Sequence, residues 1–106
     1  MSDIRKLHNK AMLHFQNALV LEFNNENAQK EYELAFNYEK KACKKLLTNE
    51  ETRLTKNILL RSAASLAYKC GKIEKCRNLI IECENNKPNE RIKDELKILN
   101  NLVNGK

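Results

Sequence analysis

Residues 60–88 read LRSAASLAYKCGKIEKCRNLIIECENNKP, and this stretch decides the fold. Leu60, Ala63, Ala64 and Ala67 recur at i, i+3, i+4 and i+7, the interval of one helix face. Cys76, Ile80 and Cys83 repeat that interval beyond Gly71. Gly71 is the residue type that accepts positive φ at a helix C-terminus. Pro88 disfavours helical backbone in the residue before it, so it closes the second segment. The stretch therefore predicts two helices joined by a tight turn, the second over about 73–85.

Working outward, Thr48 and Glu51 are three apart and have the form of a capping box. They predict that the helix containing Leu60 spans about 49–70. A preceding helix is expected over about 27–47, with Ala28, Tyr32, Ala35, Ala42 and Leu46 on its stripe and Phe36, Cys43 and Leu47 alongside. A first helix begins at Ser2, a suitable cap, with Asp3 well placed against the helix dipole. Its stripe is Ile4, Leu7, Ala11, Phe15 and Ala18, and the polar run Asn24, Asn25, Glu26, Asn27 ends it. Downstream, Asn89 caps a fifth helix whose stripe is Ile92, Leu96, Leu99 and Val103, and Gly105 ends that helix. The chain reads as one all-α domain of five antiparallel helices, because short connections favour antiparallel neighbours.

Composition agrees. With 106 residues there is room for one domain. Two glycines and one proline are too few for the turns of a sandwich or barrel, and they leave no Gly-rich phosphate loop. The longest apolar run, Ala18–Leu21, is far short of the roughly 20 residues that a bilayer requires. The start, MSDIRKLHNK, lacks the apolar run of a signal peptide, so a cytoplasmic location is expected.

The order of small and bulky residues in 60–88 resembles a tetratricopeptide repeat. That pattern runs bulky, apolar, small and aromatic down its first helix, turns on a glycine, and continues small-x3-bulky-x2-small to a proline. Leu60 stands at the aromatic start, Ala67 at the usual tyrosine, and Cys76 and Cys83 at alanines. A weaker copy is Met12-x2-Phe15-x3-Leu19 followed by Ala28-x3-Tyr32-x2-Ala35, with Gln16 at a small position and no turn glycine. Ala28 and Cys76 lie 48 residues apart rather than 34, which would lengthen helices two and three by about two turns each. The chain is also similar to small bacterial tetratricopeptide-like proteins of this length. The implied organisation is one hairpin over about 2–47, a second over about 49–87 and a capping helix over about 89–104. A plain five-helix bundle is the alternative.

The resemblance implies a protein-binding adaptor within a larger assembly, taking a protein or an acidic peptide in a concave groove. The repeat alignment assigns Lys10, Leu13, His14, Asn17 and Val20 of the first helix to that groove, with Ile58, Arg61, Ser62, Ser65 and Lys69 of the third. Leu13, Val20 and Leu21 fall outside the main stripe of helix one and are expected to stay uncovered, as are Ile98 and Leu102 on helix five. A stack of two hairpins has two open ends, so a second copy of the chain is another expected partner.

Charge supplies the competing function. The net charge is +6, yet residues 36–78 alone carry +7, residues 1–35 carry −1 and residues 79–106 carry none. Lys40, Lys41, Lys44, Lys45, Arg53, Lys56, Lys72, Lys75 and Arg77 make this region a candidate nucleic-acid patch. An AT-rich genome explains the 15 lysines and 15 asparagines but not their clustering. Against nucleic acid, aromatics are 6% of the chain and no helix-turn-helix or zinc-finger spacing occurs.

Catalysis, cofactors and metals are not expected. Cys43, Cys70, Cys76 and Cys83 have spacings of x26, x5 and x6, unlike the close pairs of zinc sites, and read as small core residues. His8 and His14 are six apart, on different helix faces, and neither has the arginine spacing of small helical ribonucleases. No HExxH, GxSxG, P-loop or dinucleotide fingerprint is present.

Overall fold

The computed structural model describes residues 2–105, apart from the side chain of Ser2, so the cap expected there lies outside the described residues. Five helices account for the fold: α1 (Ser2–Phe23), α2 (Gln29–Lys45), α3 (Arg53–Lys69), α4 (Ile73–Asn85) and α5 (Glu90–Asn104). Among the described residues there is no strand. Packing follows chain order: α1 on α2, α2 on α3, α3 on α4, with α5 against both α3 and α4. No Cα of α1 comes within 8 Å of one on α3, so a gap opens between those two helices.

Small side chains let the central helices approach closely. Ala35 and Ala42 of α2, Ala63, Ala64 and Ala67 of α3, and Cys76 and Cys83 of α4 are all fully buried. Phe36, Leu60, Ile80 and Leu96 fill the space that these small residues leave. The expected stripe of α5 is buried throughout. On α1, Ala11 and Ala18 are buried and Ile4, Leu7 and Phe15 are partly so. Leu21 also packs against the core, contrary to the expectation that it stays uncovered. Its carbonyl accepts from the Glu26 amide in the turn after α1, which folds the chain back over it. Leu47 is 80% exposed rather than alongside the α2 stripe, because the helix has already ended.

The ends of α4 and α5 follow the sequence reading. Gly71 has φ +79, and Asn89 Oδ1 accepts from the Ile92 amide at 2.9 Å. Asn86 and Lys87 lead out of α4, Lys87 at φ +49, and Pro88 is buried. Gly105 caps α5 at φ −78, so its conformational freedom is not used.

Between α2 and α3 the structure corrects the sequence reading. Neither helix gains two turns, since each has 17 residues and residues 46–52 form a connection. The box expected from Thr48 and Glu51 is displaced. Asn49 Oδ1 accepts from the amides of Glu51 and Thr52 at 2.9 and 3.0 Å. Thr52 is the N-cap, and its hydroxyl donates to the Leu47 carbonyl at 2.6 Å. The buried Lys56 completes the join: its ammonium donates to the Cys43 carbonyl and, at 3.0 Å, to that of Leu46. These carbonyls close α2 and would otherwise lack partners. A cation is also favoured against the negative end of the helix dipole.

Lys56→Met retains most of the side-chain volume but removes both bonds. It should lower stability by roughly 2 kcal/mol, as for unsatisfied buried carbonyls. Lys45→Met, at an exposed site, should change it by less than about 0.5 kcal/mol. Urea denaturation followed by far-UV circular dichroism distinguishes the two; equal midpoints would show that Lys56 does not hold the α2–α3 join.

Candidate functional site

The gap between α1 and α3 forms two hollows, and a third lies between α3 and α5. The first, about 310 Å³, is lined by Ile4, Arg5 and His8 of α1 and by Thr55, Ile58 and Leu59 of α3. The second, about 100 Å³, lies between Met12 and Phe15 of α1 and Ser62, Ser65 and Leu66 of α3. The third, about 280 Å³, is bounded by Arg61, Ser65, Glu95, Ile98, Leu99 and Leu102. Thr55, Ile58, Ser62 and Ser65 succeed one another at helical intervals, so α3 contributes a single row to this line of hollows.

One wall of the first hollow is unusual. Glu39 of α2 is fully buried, and His8 Nδ1 lies 2.9 and 3.0 Å from its two carboxylate oxygens. A buried carboxylate is costly unless paired, so the pair holds the His8 ring in place and draws α1 onto α2. Other polar groups complete the opening: the Thr55 hydroxyl and the exposed Arg5 guanidinium. Arg61 donates to Glu95 at 2.6 Å across the third hollow.

The sequence-assigned groove residues divide. On α3, Ile58, Arg61, Ser62 and Ser65 line the hollows. Lys69 lies beyond them, its ammonium 5.9 Å from the centre of the Tyr32 ring. On α1 the assignment fails. His14 Nδ1 lies 3.0 Å from Glu31 Oε2, Asn17 Nδ2 donates to Glu31 Oε1 at 3.0 Å, and Lys10 stands over the Tyr38 ring that stacks on His14. These three residues face α2. Leu13 and Val20 are 56% and 60% exposed and line none of the hollows. The residues that do line them on α1 include Arg5, His8, Met12 and Phe15, a row at i, i+3, i+7 and i+10. That row overlaps the edge of the apolar stripe at Phe15, and nothing in the sequence distinguished this edge from the opposite one.

The basic region is likewise divided by the structure. Arg53 pairs with Glu50 at 2.8 Å, Arg77 with Glu74, and Lys56 is buried as described. Lys41 leans over Tyr38, and Lys45 is exposed. Lys40 and Lys75, from α2 and α4, lie 5.8 and 5.9 Å from the centre of the same Phe36 ring. Lys44 follows Lys40 by one turn of α2, and Lys72 precedes Lys75 at the start of α4. Partial burial and the repulsion of Lys75, Lys44 and Lys72 hold the Lys40 amine below its ordinary pKa.

All four cysteines are buried thiols. Burial pushes Cys43 up to about 12, with the Glu39 charge adding to it, and pushes Cys76 and Cys83 up to about 11. Among the described residues, no group of three His, Cys, Asp or Glu side chains is placed to hold a metal ion. No helix is long and apolar enough to cross a membrane, again among the described residues.

Two outcomes are expected. First, His8→Leu should cost roughly 2–3 kcal/mol because it leaves the Glu39 charge unpaired, whereas the double variant His8→Leu/Glu39→Met should recover most of that loss. If the double variant is no more stable than the single one, the pair is not what makes His8 matter. Second, the raised thiol pKa values mean that their stabilising contribution is complete below the unfolded value of 9.0 and is lost as pH rises through 11–12. At pH 8 the native thiols should react with an aromatic disulfide at least ~100-fold more slowly than in guanidinium, and equal rates would contradict their burial. Comparison with known proteins finds no matching family model, no matching curated protein and no matching solved structure.

Proposed function

We propose that this chain is a non-catalytic interaction module, two tetratricopeptide-like hairpins closed by α5, that binds a segment of a partner protein along the α1–α3–α5 face. The observation that carries this reading is the line of three hollows sharing one row of α3. The lining is mostly apolar, with small hydroxyls that accept and donate without filling space. Ile98 and Leu102 are 63% and 48% exposed at the far end, so apolar surface continues across α5. Single exposed apolar residues need no explanation, but a set that borders a hollow supports a protein contact.

Charge indicates the kind of segment. Arg5 is exposed at one end of the line, and Arg61, in the α3–α5 hollow, retains donors beyond the one given to Glu95. Guanidinium groups hold carboxylates with defined geometry, so an apolar segment bearing acidic residues fits best.

A photo-crosslinking residue at Ser65, compared with one at Asn37 on α2, tests the reading in the native host. Ser65 should give a discrete crosslinked partner that Asn37 does not. Ile58→Glu with Ile98→Glu should abolish that product while the melting temperature stays within a few degrees. Equal crosslinking from both positions, or a product that survives the double substitution, would overturn the proposal.

A further inference from the structure

We infer a second binding site, on the α2–α4 side, at which Lys40, Lys44, Lys72 and Lys75 hold the phosphate backbone of a nucleic acid. It shares no residue with the α1–α3–α5 hollows and does not depend on the reading given to them.

The inference begins with which cations are free. Arg53, Arg61 and Arg77 are committed to Glu50, Glu95 and Glu74. None of the four lysines has a carboxylate partner among the described residues, although the chain has 14 acidic residues to offer. Phe36 fixes two of them together, since both ammonium groups lie against one ring, no farther apart than the sum of two 6 Å approaches. Lys44 lies one turn beyond Lys40 on α2, about 6 Å along the axis, and Lys72 is the N-cap of α4, three residues before Lys75. The groups repel one another, as the depressed titration of Lys40 records. Folding thus concentrates like charge here without internal compensation, which an external polyanion would supply.

Phosphate is favoured over carboxylate by the chemistry of the donors. The cluster is all lysine, whose ammonium is a compact point charge that makes no bidentate demand on its partner. The arginine on the same helix, Arg77, whose fork suits paired carboxylates, is already committed to Glu74. No exposed aromatic lies among the four to stack on a base: Phe36 is fully buried. Contact is then with the backbone alone, independent of sequence, and duplex DNA offers a phosphate charge every 1.7 Å of axis or so.

The test uses the whole protein and a labelled 20-base-pair DNA duplex, read by fluorescence anisotropy from 20 to 200 mM salt. Four phosphate contacts predict a slope of log K against log salt near −3.6, which is about a 150-fold loss between 50 and 200 mM. Lys40→Gln/Lys75→Gln should reduce the magnitude of that slope by about 2. Lys41→Gln/Lys45→Gln should leave it within about 0.5. Circular dichroism melts verify that each variant is folded. No binding at 20 mM salt would overturn the inference. So would equal losses in the two double variants, which would indicate diffuse charge. Poly-glutamate binding as tightly as the duplex would also overturn it, by showing a general acidic-polymer surface.

Discussion

Three alanines on the buried side of α3 set how closely its neighbours approach, and the architecture depends on that contact. Ala63, Ala64 and Ala67 occupy almost no depth, so α2 and α4 approach the α3 backbone from two sides while α5 reaches it from a third. Larger residues fill the space between: Leu59, Leu60 and Leu66 on α3 itself, Phe36 on α2, Ile80 on α4 and Leu96 on α5. Helix α1 is the exception. It brings its own alanines, Ala11 and Ala18, to α2 and makes no such approach to α3. The hollows follow from that asymmetry. Where small residues face each other the helices close up, and where Ile4, Met12 and Phe15 meet Ile58 and Leu66 they remain apart.

Three buried polar residues then fix which helix ends meet. Glu39 holds α1 through His8, Lys56 closes the end of α2, and Asn57 binds the chain leaving α4. Asn57 Nδ2 donates to the Asn86 carbonyl at 3.0 Å, and its Oδ1 accepts from Asn86 Nδ2 at 2.9 Å. Lys56 and Asn57 are neighbours in sequence on α3 and face α2 and α4 respectively. A slide of either helix by one turn would leave a buried charge or amide unpaired, at a cost of roughly 1–3 kcal/mol for each group. Apolar contacts alone would resist such a slide less, because alanine rows are nearly self-similar along a helix.

How far the sequence was legible follows from the same division. Gly71, Pro88 and Asn89 act on their own backbone, so the bounds of α4 and the start of α5 could be read directly. The α2–α3 join could not, because it is set by Lys56 reaching back to carbonyls of another helix, and a lysine gives no sign of burial in sequence. On α3 the repeat alignment had a clear helical phase to follow, and Ile58, Arg61, Ser62 and Ser65 do line the hollows. On α1 the stripe was clear but its two flanks were equivalent on paper. The choice between them was made by Glu31 and Tyr38 of α2, which take up His14, Asn17 and Lys10. Nothing local marks the role of His8, because its partner, Glu39, is 31 residues away.

The positive middle of the chain shows why a net charge is a poor guide to a surface. Eleven basic residues lie between positions 36 and 78, yet they do five different things, Lys45 being simply exposed. Lys56 is internal and serves the backbone. The three arginines are neutralised by glutamates, two of them by a glutamate three residues earlier. Lys41 and Lys69 lie over tyrosine rings. What remains concentrated is the group around Phe36, where α2 and α4 bring lysines together at the expense of mutual repulsion. Codon bias raises the number of lysines but is indifferent to where they fall on a fold. The accumulation at one point of lysines without an ion-pair partner, while Glu74 between them pairs with Arg77, is a property of the folded arrangement and requires an explanation at that level.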